Sequence, residues 1–188
     1  YRFPPPDAAT KHGIVGVGGN LSPGMLLSAY SQGVFPWYSE GEPLLWWNPD
    51  PQFVLFPERL HLSKSLTKLL KKRKFSFTFD REFREVIEQC SRVDRPGQEG
   101  TWITTDMINA YVELHRLGFA HSLEVWSDGN LAGGLYGVSL GRVFCGESMF
   151  TLESGASKTA FVHLVRTLLP RGFRLIDCQV RTDHLVSM

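Results

Sequence analysis

Two acids and one amide stand in apolar stretches of the second half of the chain. Asp177 and Gln179 lie within residues 175–180. Glu147 lies within residues 143–150. If residues 175–180 form a strand, its period of two places Asp177 and Gln179 on one face. Burying an unpaired polar group costs several kcal/mol, so both acids are expected either to be paired in the core or to form an acidic pocket for a cation.

A basic run lies in a chain whose total charge is close to zero. The sequence has 20 Lys and Arg against 19 Asp and Glu, a net charge of +1. Residues 58–74 contain seven basic residues and one acidic residue, a charge of +6, so the rest of the chain carries −5. Such a run is either a solvated helix face or a surface that binds phosphates. The candidate phosphate contacts are Lys64, Lys68, Lys71, Lys72, Arg73 and Lys74.

Aromatic residues are concentrated just before the basic run. Three of the five tryptophans, Trp37, Trp46 and Trp47, fall within residues 34–51. Flat rings stack on unpaired bases with about 1–3 kcal/mol per base. Cations and rings that lie close together in the chain therefore favour an interaction with single-stranded nucleic acid.

Common catalytic signatures are absent from the sequence. Residues 16–21 lack the last glycine of a dinucleotide-binding loop and are not expected to follow a strand. Gly146-Glu147-Ser148 lacks the glycine that a nucleophile elbow needs two residues after the serine. The six histidines show no metal-ligand spacing, and the three cysteines include no CxxC pair, so we expect neither a metal site nor a disulfide framework. With no apolar stretch near 20 residues, we expect a soluble cytoplasmic protein.

The elements that must position these residues follow from periodicity and capping signals. Ser22 and Pro23 favour a helix start, and Gly33 favours its end. Helices are predicted from Ser22 to Gly33, over residues 62–70, from the N-cap Asp80 to Cys90, from Thr104 or Thr105 to Gly118, and over residues 156–169. Strands are predicted over residues 75–79, 122–126, 131–140, 143–150 and 175–180, and residues 34–51 are predicted to be irregular.

The order of these elements predicts an α+β fold. An antiparallel meander, a helix and a further strand follow one another as in GNAT-type acyltransferases, although many α+β folds share this order. We predict a small N-terminal domain, residues 1–50, followed by a GNAT-like catalytic domain, residues 51–188. The second domain is expected to contain a mixed, mainly antiparallel sheet flanked by helices.

Together the motifs resemble the leucyl/phenylalanyl-tRNA-protein transferase family. The resemblance runs in family order through residues 18–23 (Gly-Gly-Asn-Leu-Ser-Pro), 35–39, 45–51, 100–103, 120–122, 133–137, 144–150 (Phe-Cys-Gly-Glu-Ser-Met-Phe), 156–158 and 175–179 (Leu-Ile-Asp-Cys-Gln). Asn20, Asn48 and Gln52 replace the usual Asp, Ser and Arg. The family continues beyond a segment like residues 184–188, so we expect the C-terminal end to be truncated.

The resemblance implies a reaction and its partners. Leu, Phe or, less readily, Met passes from aminoacyl-tRNA to the α-amino group of a protein with N-terminal Arg or Lys, which creates an N-degron for proteolysis. The nucleophile is an amine of pKa about 7.7 to 8.0, and the aminolysis of an ester needs no metal, cofactor or covalent intermediate. A monomer with no membrane partner is expected.

The resemblance also implies residue roles. Asp177 and Gln179 form the catalytic pair, in which Asp177 holds Gln179 and the Gln179 carbonyl accepts a hydrogen bond from the attacking amine. Glu147 and Asp177 bind the basic side chain of the acceptor. Asp177, water and the leaving ribose are the alternatives for the final proton acceptor.

Aromatic and apolar positions are implied to bind the aminoacyl-tRNA end. Trp37 and Trp102 match the family's contacts to the 3′ adenosine, with Tyr111 nearby, although Tyr111 could equally pack in the core because it lies on an apolar helix face. An apolar pocket separates Leu, Phe and Met from Ile and Val only by a steric wall. The residues implied to line it are Leu135, Phe144, Met149, Leu164 and Ile176.

Two other functions are compatible with parts of the sequence. An acetyltransferase that uses acetyl-CoA would need a pyrophosphate loop at the start of the helix over residues 156–169, and Glu153-Ser154-Gly155-Ala156 is only a weak match. A noncatalytic RNA-binding module would leave Glu147, Asp177 and Gln179 without a role. The acetyltransferase is therefore the main alternative.

Overall fold

Two β-sheets and five α-helices form in the computed structural model, which describes residues 1–93 and 101–181. The strands are β1 (Ile14–Val17), β2 (Phe35–Pro36), β3 (Leu45–Trp47), β4 (Val54–Leu55), β5 (Ser76–Phe79), β6 (Ala120–Ser127), β7 (Asn130–Leu140), β8 (Val143–Thr151) and β9 (Leu175–Asp177). The helices are α1 (Pro23–Tyr30), α2 (Lys64–Lys71), α3 (Phe83–Ser91), α4 (Thr105–Arg116) and α5 (Ala156–Leu168). Part of the family-like segment 100–103 and the whole of residues 184–188 lie outside the described residues.

The first sheet has the antiparallel order β1-β3-β2. The prediction that residues 34–51 are irregular is therefore wrong, and β1 does precede Gly18. These strands have two to four residues, too few for alternation to stand out. Trp46 stabilises the sheet because its buried indole donates a hydrogen bond from Nε1 to Gly18 O (2.9 Å).

The second sheet has the order β4-β9-β8-β7-β6-β5. All its neighbours are antiparallel except β8 and β9, which are parallel and are connected through α5. A parallel pair needs such a crossover. The predicted mixed, mainly antiparallel sheet flanked by helices is confirmed, with the predicted order of meander, helix and strand.

Helix starts agree with the capping signals at two of three predicted positions. The Ser22 side chain accepts from Met25 N at α1, and the Thr104 side chain accepts from Met107 N (3.3 Å) at α4. The predicted N-cap Asp80 is wrong. Asp80 has a positive φ of 59° in the turn before α3, and its Oδ1 accepts from Ser122 N (2.9 Å) instead.

Two clusters of buried apolar residues lie on the two faces of the second sheet. Tyr136 and Cys145 contribute to the cluster that contains residues of α1, α3 and α4. Leu135 and Phe144 contribute to the cluster that contains residues of α5. Successive residues of β7 and β8 thus point to opposite clusters. Because α1 packs in the first cluster, the N-terminal residues lie against the same side of the sheet as Cys145.

Candidate active site

The two parallel strands separate at Asp177. Their pairing covers only Val143 with Leu175, Phe144 with Ile176 and Cys145 with Asp177. Strand β9 then ends, while β8 continues to Thr151. A Cβ placed on Gly146 would have only the Asp177 carbonyl oxygen within 4 Å, at 3.7 Å, among the described residues. Beyond Asp177 the two strands no longer pair, and we call the region between them at this point the gap between β8 and β9.

Asp177 and Gln179 are close together, but not through strand alternation. Gln179 lies beyond β9 and has a positive φ of 61°, so the prediction that it shares a strand face with Asp177 is wrong. A turn brings them together, because the Gln179 backbone N–H donates to Asp177 Oδ1 (2.8 Å). Phe53 fixes this turn by accepting from Cys178 N (2.9 Å) and donating to Gln179 O (3.2 Å).

Glu147 enters the site as the extra residue of a β-bulge. Tyr136 pairs with Ser148 and Gly137 pairs with Gly146, so Glu147 is left between two paired residues of β8. A bulge bends a strand and changes the direction of the side chain that it carries. The bulge places the Glu147 carboxylate against residues of α1, α4 and the turn after β9.

A buried hydrogen-bond network holds this carboxylate. Gln179 Nε2 donates to Glu147 Oε1 (2.8 Å), and the Tyr111 hydroxyl donates to Glu147 Oε2 (3.1 Å). The Tyr30 hydroxyl in turn forms a hydrogen bond with the Tyr111 hydroxyl. Sequence reasoning missed Tyr30, since nothing in the pattern of α1 separates it from an ordinary core residue. Because Gln179 Nε2 donates to Glu147, the amide oxygen Oε1 is the atom of this side chain that can accept a hydrogen bond from a substrate.

Burial governs the protonation of the site. It raises the pKa of Glu147 to about 7, although hydrogen bonds from Tyr30, Tyr111 and Gln179 act in the opposite direction. Burial also raises the pKa of Asp177. Two neighbouring carboxyl groups whose pKa values are both raised mark a place where a cation would restore the charged forms.

The residues predicted to bind adenosine do not all lie at the surface. Trp37 and Trp102 are partly exposed, and the Trp37 ring packs on Trp47 with centroids 5.3 Å apart. Tyr111 is fully buried, and its ring meets the Tyr136 ring edge-on at 5.7 Å. The burial of Tyr111 favours the alternative of core packing over stacking on a base.

The five predicted pocket residues come together beneath α5. Leu135, Phe144, Leu164 and Ile176 are buried in one cluster, and Met149 packs against it. A cavity of about 330 Å³ is lined by three of them, Leu135, Phe144 and Leu164. This cluster and the Glu147 network lie on opposite faces of the sheet, and the gap between β8 and β9 lies between them.

The basic run forms an exposed surface on α2 and the residues that follow it. Leu66 is buried, and Leu69 packs against Gly155 at the start of α5. All six predicted phosphate contacts are exposed, namely Lys64, Lys68, Lys71, Lys72, Arg73 and Lys74. Lys74 forms an ion pair with Glu153. Five of the six cations therefore lack a carboxylate partner in the described part of the chain.

No helix in the described ranges has both the length and the apolar character needed to cross a membrane. Within the same ranges, no three His, Cys, Asp or Glu side chains are grouped so that they could hold a metal ion.

Comparison with known proteins identifies relatives over almost the whole chain. The family model "Leucyl/phenylalanyl-tRNA protein transferase" matches residues 54–188, and the model of that family's N-terminal domain matches residues 19–50. The leucyl/phenylalanyl-tRNA–protein transferase of Myxococcus xanthus is 57% identical over 97% of this chain and 78% of its own length. That of Syntrophobacter fumaroxidans is 58% identical over 99% of this chain and 80% of its own length.

A solved structure shows the same fold at low identity. A conserved protein from Bacteroides thetaiotaomicron matches 72% of this chain and 52% of its own with 12% identity and a TM-score of 0.56. This likeness concerns the fold alone, whereas the sequence matches cover both sheets and every predicted catalytic residue. The chain therefore belongs to the leucyl/phenylalanyl-tRNA protein transferase family, whose members are aminoacyl-tRNA-dependent protein aminoacyltransferases.

Proposed function

We propose that the chain transfers Leu, Phe or, less readily, Met from aminoacyl-tRNA to the α-amino group of proteins with N-terminal Arg or Lys. The product is an N-degron for proteolysis, and the enzyme acts as a cytoplasmic monomer. The observation that carries the acceptor preference is the pair of buried carboxyl groups, Glu147 and Asp177, beside the gap in the sheet. A guanidinium or ammonium group there compensates for their burial.

The transferred side chain occupies the apolar pocket beneath α5, formed by Leu135, Phe144, Met149, Leu164 and Ile176. The ester carbonyl then lies in the gap between β8 and β9, and Trp37 and Trp102 hold the 3′ adenosine. This arrangement places the ester between the pocket on one face of the sheet and the acidic network on the other. Positioning of this kind supplies much of the acceleration of a reaction between two bound substrates.

Gln179 and Asp177 act on the attacking amine. The amine forms the new peptide C–N bond as the ester C–O bond breaks, and the electron pair leaves on the tRNA 3′ oxygen. The nitrogen loses one proton, which passes to the departing 3′ oxygen either directly or by way of Asp177 or water, and Gln179 Oε1 accepts a hydrogen bond from the amine. The hydrogen bond that Gln179 Nε2 donates to Glu147 Oε1 supports this orientation. A cysteine nucleophile is disfavoured, because burial raises the pKa of Cys178 to about 12.

The same proposal divides the chain at residue 50. Residues 1–50 form a small N-terminal domain, and residues 51–188 form the catalytic domain. The separate sheets and the two family models, which meet between residues 50 and 54, support this division. Lys64, Lys68, Lys71, Lys72, Arg73 and Lys74 bind the tRNA backbone.

A transfer assay tests the proposal against the acetyltransferase alternative. The protein is incubated with leucyl-tRNA or acetyl-CoA and a peptide that begins with Arg, and a peptide that begins with Ala serves as the control. Leucine on the Arg peptide alone is the expected result. Acetyl transfer would overturn the proposal. Leu69, which packs at Gly155, limits the room for a pyrophosphate at the start of α5.

A further inference from the structure

Exposed arginines lie around the start of β9, away from the basic run on α2. Arg174 directly precedes β9, and its backbone N–H donates to Arg142 O in the β7–β8 turn (2.9 Å). Arg171 stands three residues before Arg174. Arg59 ends the turn that follows β4, and because β4 is antiparallel to β9, this turn leaves the sheet at the same end. We call Arg59, Arg142, Arg171 and Arg174 the arginine band.

The charges of the arginine band are not compensated by carboxylates. On α3 and α4, Arg84 and Arg116 pair with glutamates of their own helices. None of the four band arginines forms such a pair within residues 1–93 and 101–181. Only Glu58 adjoins them in sequence, which leaves four cations and one anion, a net charge of +3.

Two of the band side chains are held by neutral groups. Arg171 Nη1 donates to Thr167 O (2.7 Å), and the Arg59 guanidinium lies 5.3 Å from the centre of the Phe56 ring. Asp80 lines the same cavity as Arg171, but its oxygens already contact His121 Nδ1 (2.8 Å) and Ser122 N. Neutral groups therefore hold the guanidinium groups of Arg171 and Arg59 in position and leave their charges uncompensated.

The arginine band lies near Asp177 at one end and near the basic helix α2 at the other. Asp177 lies three positions after Arg174, which is about 10 Å along a strand. At its other end, Arg59 precedes the first residue of α2 by five positions. The sequence hides this continuity because the four arginines are spread over residues 59–174. Cations are therefore present from α2 to the start of β9, and those beside β9 lie about 10 Å along the strand from Asp177.

We propose that the arginine band binds tRNA phosphates next to the aminoacylated 3′ end and extends the basic surface of α2 to the active site. This inference rests on the proposed function. Guanidinium groups suit the role because their planar donors match phosphate oxygens in pairs. The bound phosphates also fix the ester relative to the gap between β8 and β9.

The test compares Arg142→Ala/Arg174→Ala with Arg84→Ala/Arg116→Ala, which removes the same charge from exposed arginines elsewhere. The Kd for leucyl-tRNA is measured between about 0.05 and 0.2 M salt. The band variant is expected to bind at least about tenfold more weakly at low salt, with a log–log slope shallower by about 1.4 to 1.8. The control is expected to stay within about twofold of the parent. Equal slopes in the two variants would overturn the proposal.

Leucine transfer is measured on the same proteins with leucyl-tRNA and with 3′-leucyl-adenosine, an ester without phosphates. The kcat/KM for leucyl-tRNA divided by the kcat/KM for 3′-leucyl-adenosine should fall in the band variant only. Binding that depends on the band without any transfer would uphold the band and refute the proposed function. Leucine transfer with an unchanged ratio would support the proposed function and refute the role of the arginine band. Circular dichroism melts verify that both variants are folded.

Discussion

Gln179 Nε2 donates a hydrogen bond of 2.8 Å to Glu147 Oε1, although the two residues are 32 positions apart. The bond joins the amide implied to orient the attacking amine with the carboxylate implied to bind the acceptor side chain. A change in the charge or position of Glu147 should therefore alter both binding and turnover.

Glu147→Gln should remove a pH dependence of stability. Burial raises the pKa of Glu147 from 4.5 to about 7, so the folded protein holds a proton that the unfolded chain releases between these values. The stabilising contribution is complete below pH 4.5 and is lost as the pH rises through 7. Relative to the variant, the parent should lose on the order of 3 kcal/mol between pH 4 and 8.

Urea unfolding at several pH values measures this difference. Glu40→Gln, at an exposed side chain, is the matched control and should follow the parent at every pH. A constant difference between Glu147→Gln and the parent across the range would contradict the assignment of a raised pKa to this group.

Asp177→Asn and Asp177→Ala should distinguish the effect of the negative charge of Asp177 from the effect of its hydrogen bond to Gln179 N. The asparagine retains an oxygen that accepts from Gln179 N, whereas alanine removes it. If the carboxylate mainly holds the turn, the asparagine variant keeps most of its turnover, and alanine lowers kcat by about 10²-fold. Equal losses in the two variants would assign the effect to charge. Full activity of Asp177→Ala, with an unchanged melting temperature, would remove this residue from the mechanism.

Tyr111→Phe tests the two roles considered for this residue. The ring is buried, and the hydroxyl donates to Glu147 Oε2. Loss of a hydrogen bond that favours the carboxylate should raise the pKa of Glu147 further. The KM for an Arg-initiated peptide should increase several-fold at neutral pH and recover at higher pH. An increased KM for leucyl-tRNA with an unchanged peptide KM would instead indicate a role near the adenosine.

Lys68→Ala/Lys71→Ala/Lys72→Ala should weaken the use of tRNA. Three lost phosphate contacts raise the KM for leucyl-tRNA and make the log–log salt slope shallower by about 2 to 3. Arg73 is left in place because its φ is positive, at 49°. Lys74→Ala is the control, since Lys74 already pairs with Glu153 and should change the slope least. An unchanged slope in the triple variant would remove α2 from the tRNA surface.

Gly155→Ala should destabilise the contact between α2 and α5. The added Cβ would overlap the Leu69 side chain, and Gly155 has a φ of 87°. Gly41→Ala separates the two effects, because Gly41 has a φ of 79° and no neighbour within 4 Å among the described residues. In chemical unfolding, Gly155→Ala should lose about 1–3 kcal/mol more than Gly41→Ala. Equal losses would mean that α2 yields to the added methyl group.

Long periodic segments and side-chain caps were predictable from sequence. The alternation of β6 to β8 and the Thr104 cap of α4 needed only local information. The three-stranded sheet was missed because its strands are shorter than one readable period. Strand alternation does not account for the position of Gln179 beside Asp177, because Gln179 lies in a turn with a positive φ whose backbone is hydrogen-bonded to Phe53. Tyr30 joins the site through hydrogen bonds with Tyr111, 81 residues away, and with Glu147, and no local pattern encodes such contacts.

Because Glu147 is the extra residue of a β-bulge, the pairing of β7 with β8 does not depend on it, whereas the site does. Gly146 and Ser148 pair with the consecutive residues Gly137 and Tyr136, as they would in a regular hairpin if residue 147 were absent. Removal of one codon would therefore keep the register of β7 and β8 while deleting the carboxylate from the buried hydrogen-bond network. Insertion of one codon into a regular strand is, conversely, enough to place an acid there. At this position a change of function requires only the gain or loss of one residue, and the fold can stay as it is.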